Sequence, residues 1–526
     1  MSKFLASLRL MRAGYVLARE GVLSALPADG LTGLPALGHR VAKWMSRGSA
    51  KNSERSERIS NAMNRLGPSY VKLGQFLATR PDIVGRDVAD DLSLLQDKVK
   101  TFPQAEAIAQ IEGSLGRKID DLFVEFGEPI AAASMAQVHP AWILDDNGNR
   151  KKVAVKVIRP GIRRRFAQDL EGFYLVARTQ ERYVAASRRL RPVQVVENLE
   201  QTTRLEMDLR LEAAALSELG ENTKNDPGFR VPTVDWERTG RDVLTMEWID
   251  GIKMSDRDSL VAAGFDLEAL SVTLIQSFLR HTLRDGFFHA DMHPGNLFVD
   301  KDGIIVAVDL GITGRLGKKE KRYLAEILYG FIKRDYYRVA KVHFEAGYVP
   351  SHHSIESFAQ ANRAIGEPVH GQSAETISMA RLLTLLFEVT ELFDMETRPE
   401  LILLQKTMVV VEGVARTLDP HLNMWKAADP VVSDWIMQNL GPLGLVKDLR
   451  DSAIAVTDLV RKTPELTKRF DDITAGMAHM SKHGIVLDEA TLKRLARYQS
   501  RSGRFMRYAI YIIAACILYI TLRMIF

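Results

Sequence analysis

Cysteine is almost absent: Cys516 is the only one in 526 residues, so the chain forms no intrachain disulfide and no cysteine-based zinc site. Its soluble part therefore suits a cytosolic, reducing setting. Internal repeats and low-complexity tracts are missing as well. So is a strong charge of one sign. Lys and Arg exceed Asp and Glu by only 5, with a pI near 9.0, too mild over this length to imply a nucleic-acid partner. Basic residues cluster at Arg163-Arg164-Arg165 and at Arg188-Arg189-Leu190-Arg191, where a solvated surface is expected, and again from Arg497 to Arg507. No apolar core of signal-peptide length opens the chain, because Arg9 and Arg12 interrupt it. What remains is an ordinary globular composition, 46% hydrophobic and 26% charged, which argues against general disorder. The length suits several domains, or one elaborated catalytic domain with extensions.

The stretch His289-Ala290-Asp291-Met292-His293-Pro294-Gly295-Asn296 precedes two apolar runs, Leu297 to Val299 and Ile304 to Val308. Between them, Asp300-Lys301-Asp302-Gly303 is a hairpin turn signal. Asp291 and Asn296 thus fall on a loop just before a hairpin and Asp309 just after it, so the fold-back brings three polar side chains to one rim. Phosphoryl transfer needs such a rim. Asp291 would orient or deprotonate the nucleophile, while Asn296 and Asp309 would hold Mg2+ on the phosphates of ATP. The Asp-x4-Asn spacing with a later Asp309-Leu310-Gly311 matches the catalytic and metal loops of protein kinases.

Residues 122–158 read as strands. Ile130-Ala131-Ala132-Ala133-Ser134-Met135-Ala136-Gln137-Val138 is a run of small residues expected to cover the nucleotide, with alanines where a kinase would use glycines. After a turn at Asp145 to Gly148, the strand Val153 to Ile158 carries Lys156 in an otherwise apolar run. A buried ammonium needs a partner. The helix expected around 197–219 offers one. Its apolar stripe is Leu205, Leu209, Leu216 and Leu219, and Glu212 falls on that stripe. Lys156–Glu212 is therefore expected as the ion pair that holds the lysine at the α- and β-phosphates; the alternative is a Glu212 that snorkels to the surface. Glu206, turned off the stripe and exposed, is left to meet another cation, with Lys72 the candidate. Lys72 and Gln75, three apart, share a helix face, which on its own reads as a solvated one. Val243 to Gly251 reads as a strand running into an interlobe hinge, Leu267 to Phe288 as a helix leading into the Asp291 loop, and 320–500 as amphipathic helices.

The ends differ from the middle. Phe4, Leu5, Leu8, Met11 and Tyr15 recur at helical spacing among Lys3, Arg9, Arg12 and Arg19. Such a helix either lies on an anionic membrane surface or packs on the main body. Tyr508 to Leu522 is fifteen residues without a charge, bounded by Arg507 and Arg523. Carried to Phe526 it makes about 30 Å of helix, enough to cross a bilayer, and the preceding arginines would keep the catalytic body cytoplasmic. A buried terminal helix is the alternative.

These motifs resemble the UbiB family of atypical kinase-like proteins of ubiquinone biosynthesis, over nearly the whole chain and most closely over about 55–430. Lys72-Leu73-Gly74-Gln75 is similar to its Lys-x-Gly-Gln motif, Ala131 to Ser134 to its alanine-rich loop, and Glu206-Met207-Asp208 to its Glu-x-Asp motif. Leu404-Gln405-Lys406-Thr407 and Val411-Glu412-Gly413 are similar to the bacterial branch. Bacterial members that end in two membrane helices differ from this chain, which has room for one. The resemblance implies an α+β, bilobal protein-kinase-like fold, with a small β-rich N-lobe, a helical C-lobe, an N-terminal helical extension and a C-terminal membrane helix. The expected divisions are 1–55, 56–121, 122–250, 251–430, 431–505 and 506–526. It also implies ATP and Mg2+ as cofactors, a bacterial inner-membrane location, and a Lys-x-Gly-Gln segment folded over the site against protein substrates. Membrane lipid, polyprenyl-phenol or quinone intermediates and other ubiquinone-biosynthesis enzymes are its implied partners. A kinase for a protein or small molecule, and a nucleotide-binding scaffold, are the competing readings.

Overall fold

The computed structural model describes residues 3–22, 41–47, 53–183, 188, 190–371 and 389–440, leaving out 42, 79, 94, 96–99, 391 and 396–398. The anchor expected at Tyr508 to Leu522 lies outside the described residues, as does most of 431–505. Two compact units divide the chain, Met1–Ile436 and Met437–Phe526; the description that follows is of the first.

Helices α1 (Lys3–Arg19), α2 (Arg55–Leu66), α3 (Pro68–Ala78) and α4 (Arg86–Ser93) precede the sheet. Gly67, at φ +105°, separates α2 from α3 as its position before Pro68 suggests. Gly74 lets α3 sit close to Leu92 and Leu95: a Cβ there would stand 2.5 Å from Leu95 Cδ1, which would have to shift.

The β-rich part follows α5 (Gln104–Leu115). Its strands are β1 (Glu125–Phe126), β2 (Ala131–Ala132), β3 (Ala136–Leu144) and β4 (Arg150–Ile158). Then come α6 (Ile162–Tyr183), α7 (Pro192–Glu206), α8 (Leu209–Thr223), β5 (Phe229–Arg230) and β6 (Val243–Glu247). The antiparallel sheet runs β1-β3-β4-β6 with β2 on β3. Period-2 alternation divides it. Val153, Val155 and Val157 meet Ala107 and Ile111 of α5 on one face, while Ala154 and Ile158 join the main core with Leu209, Ala213 and Leu216 of α8 on the other. Lys156 lies on this second face.

The single helix expected over 197–219 is two. Met207–Asp208 breaks it, because Asp208 leaves helical geometry and its side chain accepts the Arg210 N–H as an N-cap. Leu205 therefore does not belong to the stripe and is 61% exposed. The stripe itself stands as Leu209, Leu216 and Leu219 on α8, all buried, each contributing roughly 1.5–3 kcal/mol of hydrophobic stabilisation. A second expectation also changes. Helix α1 does pack on α6, with Leu10 against Gly172, and the residues it buries are Ala13 and Ala18. Of the stripe read from its sequence, Leu8, Met11 and Tyr15 turn outward, at 43%, 61% and 47% exposure.

The helical part adds β7 (Gly251–Lys253), α9 (Leu267–Arg280), β8 (Phe287–His289), the hairpin β9 (Leu297–Asp300) with β10 (Ile305–Ala307), and β11 (Thr313–Arg315). Helices α10 (Lys318–Ile332), α11 (Tyr336–Glu345), α12 (Ile355–Gly371), α13 (Pro399–Leu418) and α14 (Met424–Asn439) complete it. The expected hairpin forms, turning at Gly303 with φ +77°. It is built into a four-stranded sheet, β5-β10-β9-β7, and β8 pairs with β11 beside it. Among the described residues no helix is long and apolar enough to cross a membrane.

One buried titratable group here sets a pH response. His343 on α11 donates from Nδ1 to Val339 O at 2.8 Å and packs on Phe358. Burial lowers its pKa from 6.5 to about 4, so the folded state holds it neutral. Its contribution is present above pH 6.5 and is lost as pH falls toward 4, at most about 3 kcal/mol. His343→Asn is expected to flatten the loss of thermal stability between pH 6.5 and 4. An unchanged slope would assign that loss to other groups.

Candidate active site

Three segments far apart in sequence meet at Lys156. Its Nζ donates to Glu212 Oε1 at 2.8 Å and Oε2 at 2.9 Å, and to Asp309 Oδ1 at 2.8 Å. Strand β4 presents the lysine, the first turn of α8 presents the glutamate, and the residue after the β9–β10 hairpin presents the aspartate. The Lys156 and Glu212 side chains are 12% and 6% exposed, and Asp309 is 45% exposed. Burial alone would lower the Lys156 pKa, but Asp309 and Glu212 outweigh it and hold the ammonium above its ordinary range. The Lys156 ammonium holds Asp309 well below the usual carboxylate range, against the effect of burial. Burial pushes Glu212 up, and Asp309 adds to the rise that Lys156 opposes. Asp309 adopts φ +62°, a left-handed conformation that aspartate tolerates better than most residues and that clusters at functional sites.

The loop before the hairpin is held as tightly. Asn296, 8% exposed, donates from Nδ2 to Asp291 O at 3.1 Å and to Asp291 Oδ2 at 3.4 Å. The Asp291 N–H donates to His289 Nδ1 at 3.1 Å, so His289 Nε2 carries the proton toward Val308 O at 3.2 Å. Burial lowers the His289 pKa, in keeping with that neutral tautomer. Thr407 Oγ1 on α13 lies 3.1 Å from Ala290 O. Sequence alone gives no role to His289 or Thr407. Helical spacing marks Thr407 only as one more α13 residue, and nothing local points from it to Ala290.

The alanine-rich loop forms a hairpin: β2 pairs with β3, Ala131 opposite Val138 and Ala132 opposite Gln137. Its tip is anchored, with Ala133 N–H donating to Ala136 O and Arg159 N–H to Met135 O, both at 2.8 Å. Ser134 and Met135 are buried, while Ile130 is exposed. Val138 stands opposite Lys156 and shares its face. Gln137 does not. It is fully buried on the α5 side, bonded through Oε1 and Nε2 to the Phe102 backbone at 2.9 and 3.1 Å, so its side chain lies on the opposite face from Lys156. Lys72 of α3 meets Glu206 of α7 at 2.5 Å. Glu206 is not the exposed residue expected; its side chain is 13% exposed because the α7–α8 break folds it against α3.

The donor set suits ATP and Mg2+. Asp309 and Asn296 offer the hard oxygens that Mg2+ prefers, and Lys156 supplies a fixed cation for phosphate.

The chain matches the family model of the ABC1 atypical kinase-like domain over residues 94–343 and that of the UbiB helical domain over 362–423. It is 38% identical over 504 residues to the "Probable protein kinase UbiB" of Marinobacter nauticus, covering 95% of this chain and 90% of that one. The protein so named from Pseudomonas fluorescens is 38% identical over 477 residues, covering 89% and 88%. That from Azotobacter vinelandii is 38% identical over 469 residues, covering 88% and 86%. A solved complex of Rv3197 with erythromycin from Mycobacterium tuberculosis aligns at a TM-score of 0.47 and 23% identity, covering 68% of this chain and 90% of that one. With a kinase-like fold of β-rich and helical parts and relatives matched along nearly their whole length, the chain belongs to the UbiB family.

Proposed function

We propose that this protein is an atypical kinase-like ATPase that binds ATP with Mg2+ and supports ubiquinone biosynthesis at a bacterial inner membrane. The observation that carries the reading is the Lys156 ammonium bridging Glu212 and Asp309, a site assembled from three distant segments. Glu212 aims Lys156, which would bind the α- and β-phosphates. Asp309 and Asn296 would hold Mg2+, whose charge would stabilise that of the phosphates. Asp291, kept in place by Asn296 and by the neutral His289, would orient the attacking oxygen and take its proton. The Ala131–Val138 hairpin would cover the nucleotide mainly through its backbone and through Val138. Lys72 and Glu206, paired and mostly buried, would close the entrance to a peptide, which favours water over a protein as acceptor.

The membrane part of the proposal rests on two segments. Tyr508 to Leu522 has the composition of an anchor, and α1 turns Leu8, Met11 and Tyr15 outward beside exposed Arg12 and Arg19. Deleting 508–526 is expected to move most of the protein to the soluble fraction; a truncated chain retained on membranes in high salt would assign attachment to another surface.

The test of function is ATP turnover by the pure protein with and without anionic liposomes and a quinone-like phenol. Free phosphate, released faster with both, is the expected product. Phosphate transferred to a protein or to the phenol would make it a kinase, and nucleotide binding without turnover would make it a scaffold.

A further inference from the structure

Away from this site, two histidines and an aspartate converge on the surface of the helical part. His352 and His353 sit in the turn between α11 and α12, and Asp394 comes from 41 residues beyond His353. Their ligating atoms lie within 4.8 Å of one another. His353 Nε2 is 3.3 Å and His352 Nε2 3.7 Å from the same oxygen, Asp394 Oδ2.

We propose that His352, His353 and Asp394 form a binding site for a divalent transition metal of the zinc type. Two imidazole nitrogens and one carboxylate oxygen are a donor set that Zn2+ takes with a fourth position open. Ligand bonds of about 2.0–2.1 Å in a tetrahedron put neighbouring donors about 3.3–3.4 Å apart. The His353–Asp394 separation already has that value, and the His352–Asp394 separation is a few tenths of an ångström longer. Relative to Asp394 Oδ2, each imidazole nitrogen thus needs only a small side-chain movement, and the two imidazole donors lie within 4.8 Å of each other.

The surroundings hold the donors in place. The His353 ring packs on Phe393 at 5.3 Å between centroids, and Phe393 packs on buried Phe358 of α12 at 4.9 Å. The His352 and His353 rings lie 4.1 Å apart. Asp394 adopts φ +47°, an uncommon conformation for a residue other than glycine, and its Oδ2 faces both rings. A metal here would tie the α11–α12 turn to the segment that precedes α13, the helix whose Thr407 touches the Asp291 loop. With two donors largely exposed, 66% for His352 and 69% for Asp394, the ion would exchange with solvent and its fourth position would take water.

The experiment uses the full-length protein, stripped with a chelator and kept in millimolar Mg2+ to occupy hard oxygen sites. Co2+ serves as the visible probe and Zn2+ as its competitor. One equivalent of Co2+ is expected to give a visible absorption band that Zn2+ abolishes. His352→Ala and Asp394→Asn, both at exposed positions, are each expected to weaken Co2+ binding at least tenfold with ATP affinity unchanged. No band in the wild type would reduce the cluster to an ordinary surface ion pair. A band that both variants keep would place the metal elsewhere. Either result overturns the proposal.

Discussion

Lys156→Met is expected to abolish ATP binding and to cost about 3–5 kcal/mol of stability, the usual penalty for removing one partner of a buried ion pair. The ammonium lies between two carboxylates, Glu212 and Asp309. Without it, Glu212, already raised by burial, takes up a proton rather than face Asp309. Glu212→Gln leaves Lys156 with Asp309 and so costs less stability, but it frees the lysine to leave the phosphate position and also cripples ATP binding. The double variant is then expected to be little worse than Lys156→Met, because the second change removes the group that the first had stranded. Thermal unfolding and nucleotide affinity of the four proteins measure this. Strict additivity would mean that the two side chains do not act as one unit.

Asp309→Asn is expected to weaken Mg2+-dependent ATP binding at least a hundredfold, about 2.7 kcal/mol. The substitution separates charge from backbone. Asparagine adopts positive φ as readily as aspartate, so the turn at φ +62° persists and the hairpin keeps its register. What is lost is the anionic oxygen, both as a Mg2+ ligand and as a partner of Lys156. Titration of ATP in millimolar Mg2+ reads the loss, and an unchanged circular dichroism spectrum confirms the fold. Unchanged Mg2+-ATP affinity would remove Asp309 from the site.

Much of this site was legible because its cues are local. Asp300 to Gly303 specifies a hairpin, and a hairpin returns Asp309 to Asn296 whatever surrounds it. Glu212 among leucines and Lys156 among valines each call for a buried opposite charge, and that cue is valid although the helix bearing Glu212 is shorter than its leucine spacing suggests. The break at Asp208 had its own signal, an N-cap residue directly before Leu209, which the continuous leucine spacing obscured. Gln137 had an overlooked signal as well: it neighbours Val138, and period 2 sends neighbours to opposite faces, so the expectation that both cover the nucleotide conflicts with the pleat. Helix α1 shows what periodicity leaves open. A stripe of Leu8, Met11 and Tyr15 specifies an amphipathic helix but not which face the body receives, and it is the small residues Ala13 and Ala18 that are buried. Thr407 reaches Ala290 across 117 residues, and only the three-dimensional packing of α13 brings them together.

The central claim is that Lys156, Glu212, Asn296 and Asp309 form a Mg2+-ATP site. Equilibrium titration of the full-length protein with labelled ATP, in Mg2+ and again after chelation, tests it most directly. The site predicts saturable binding in Mg2+ that falls at least tenfold when the metal is removed. Equal binding in both conditions, or none in either, would contradict it.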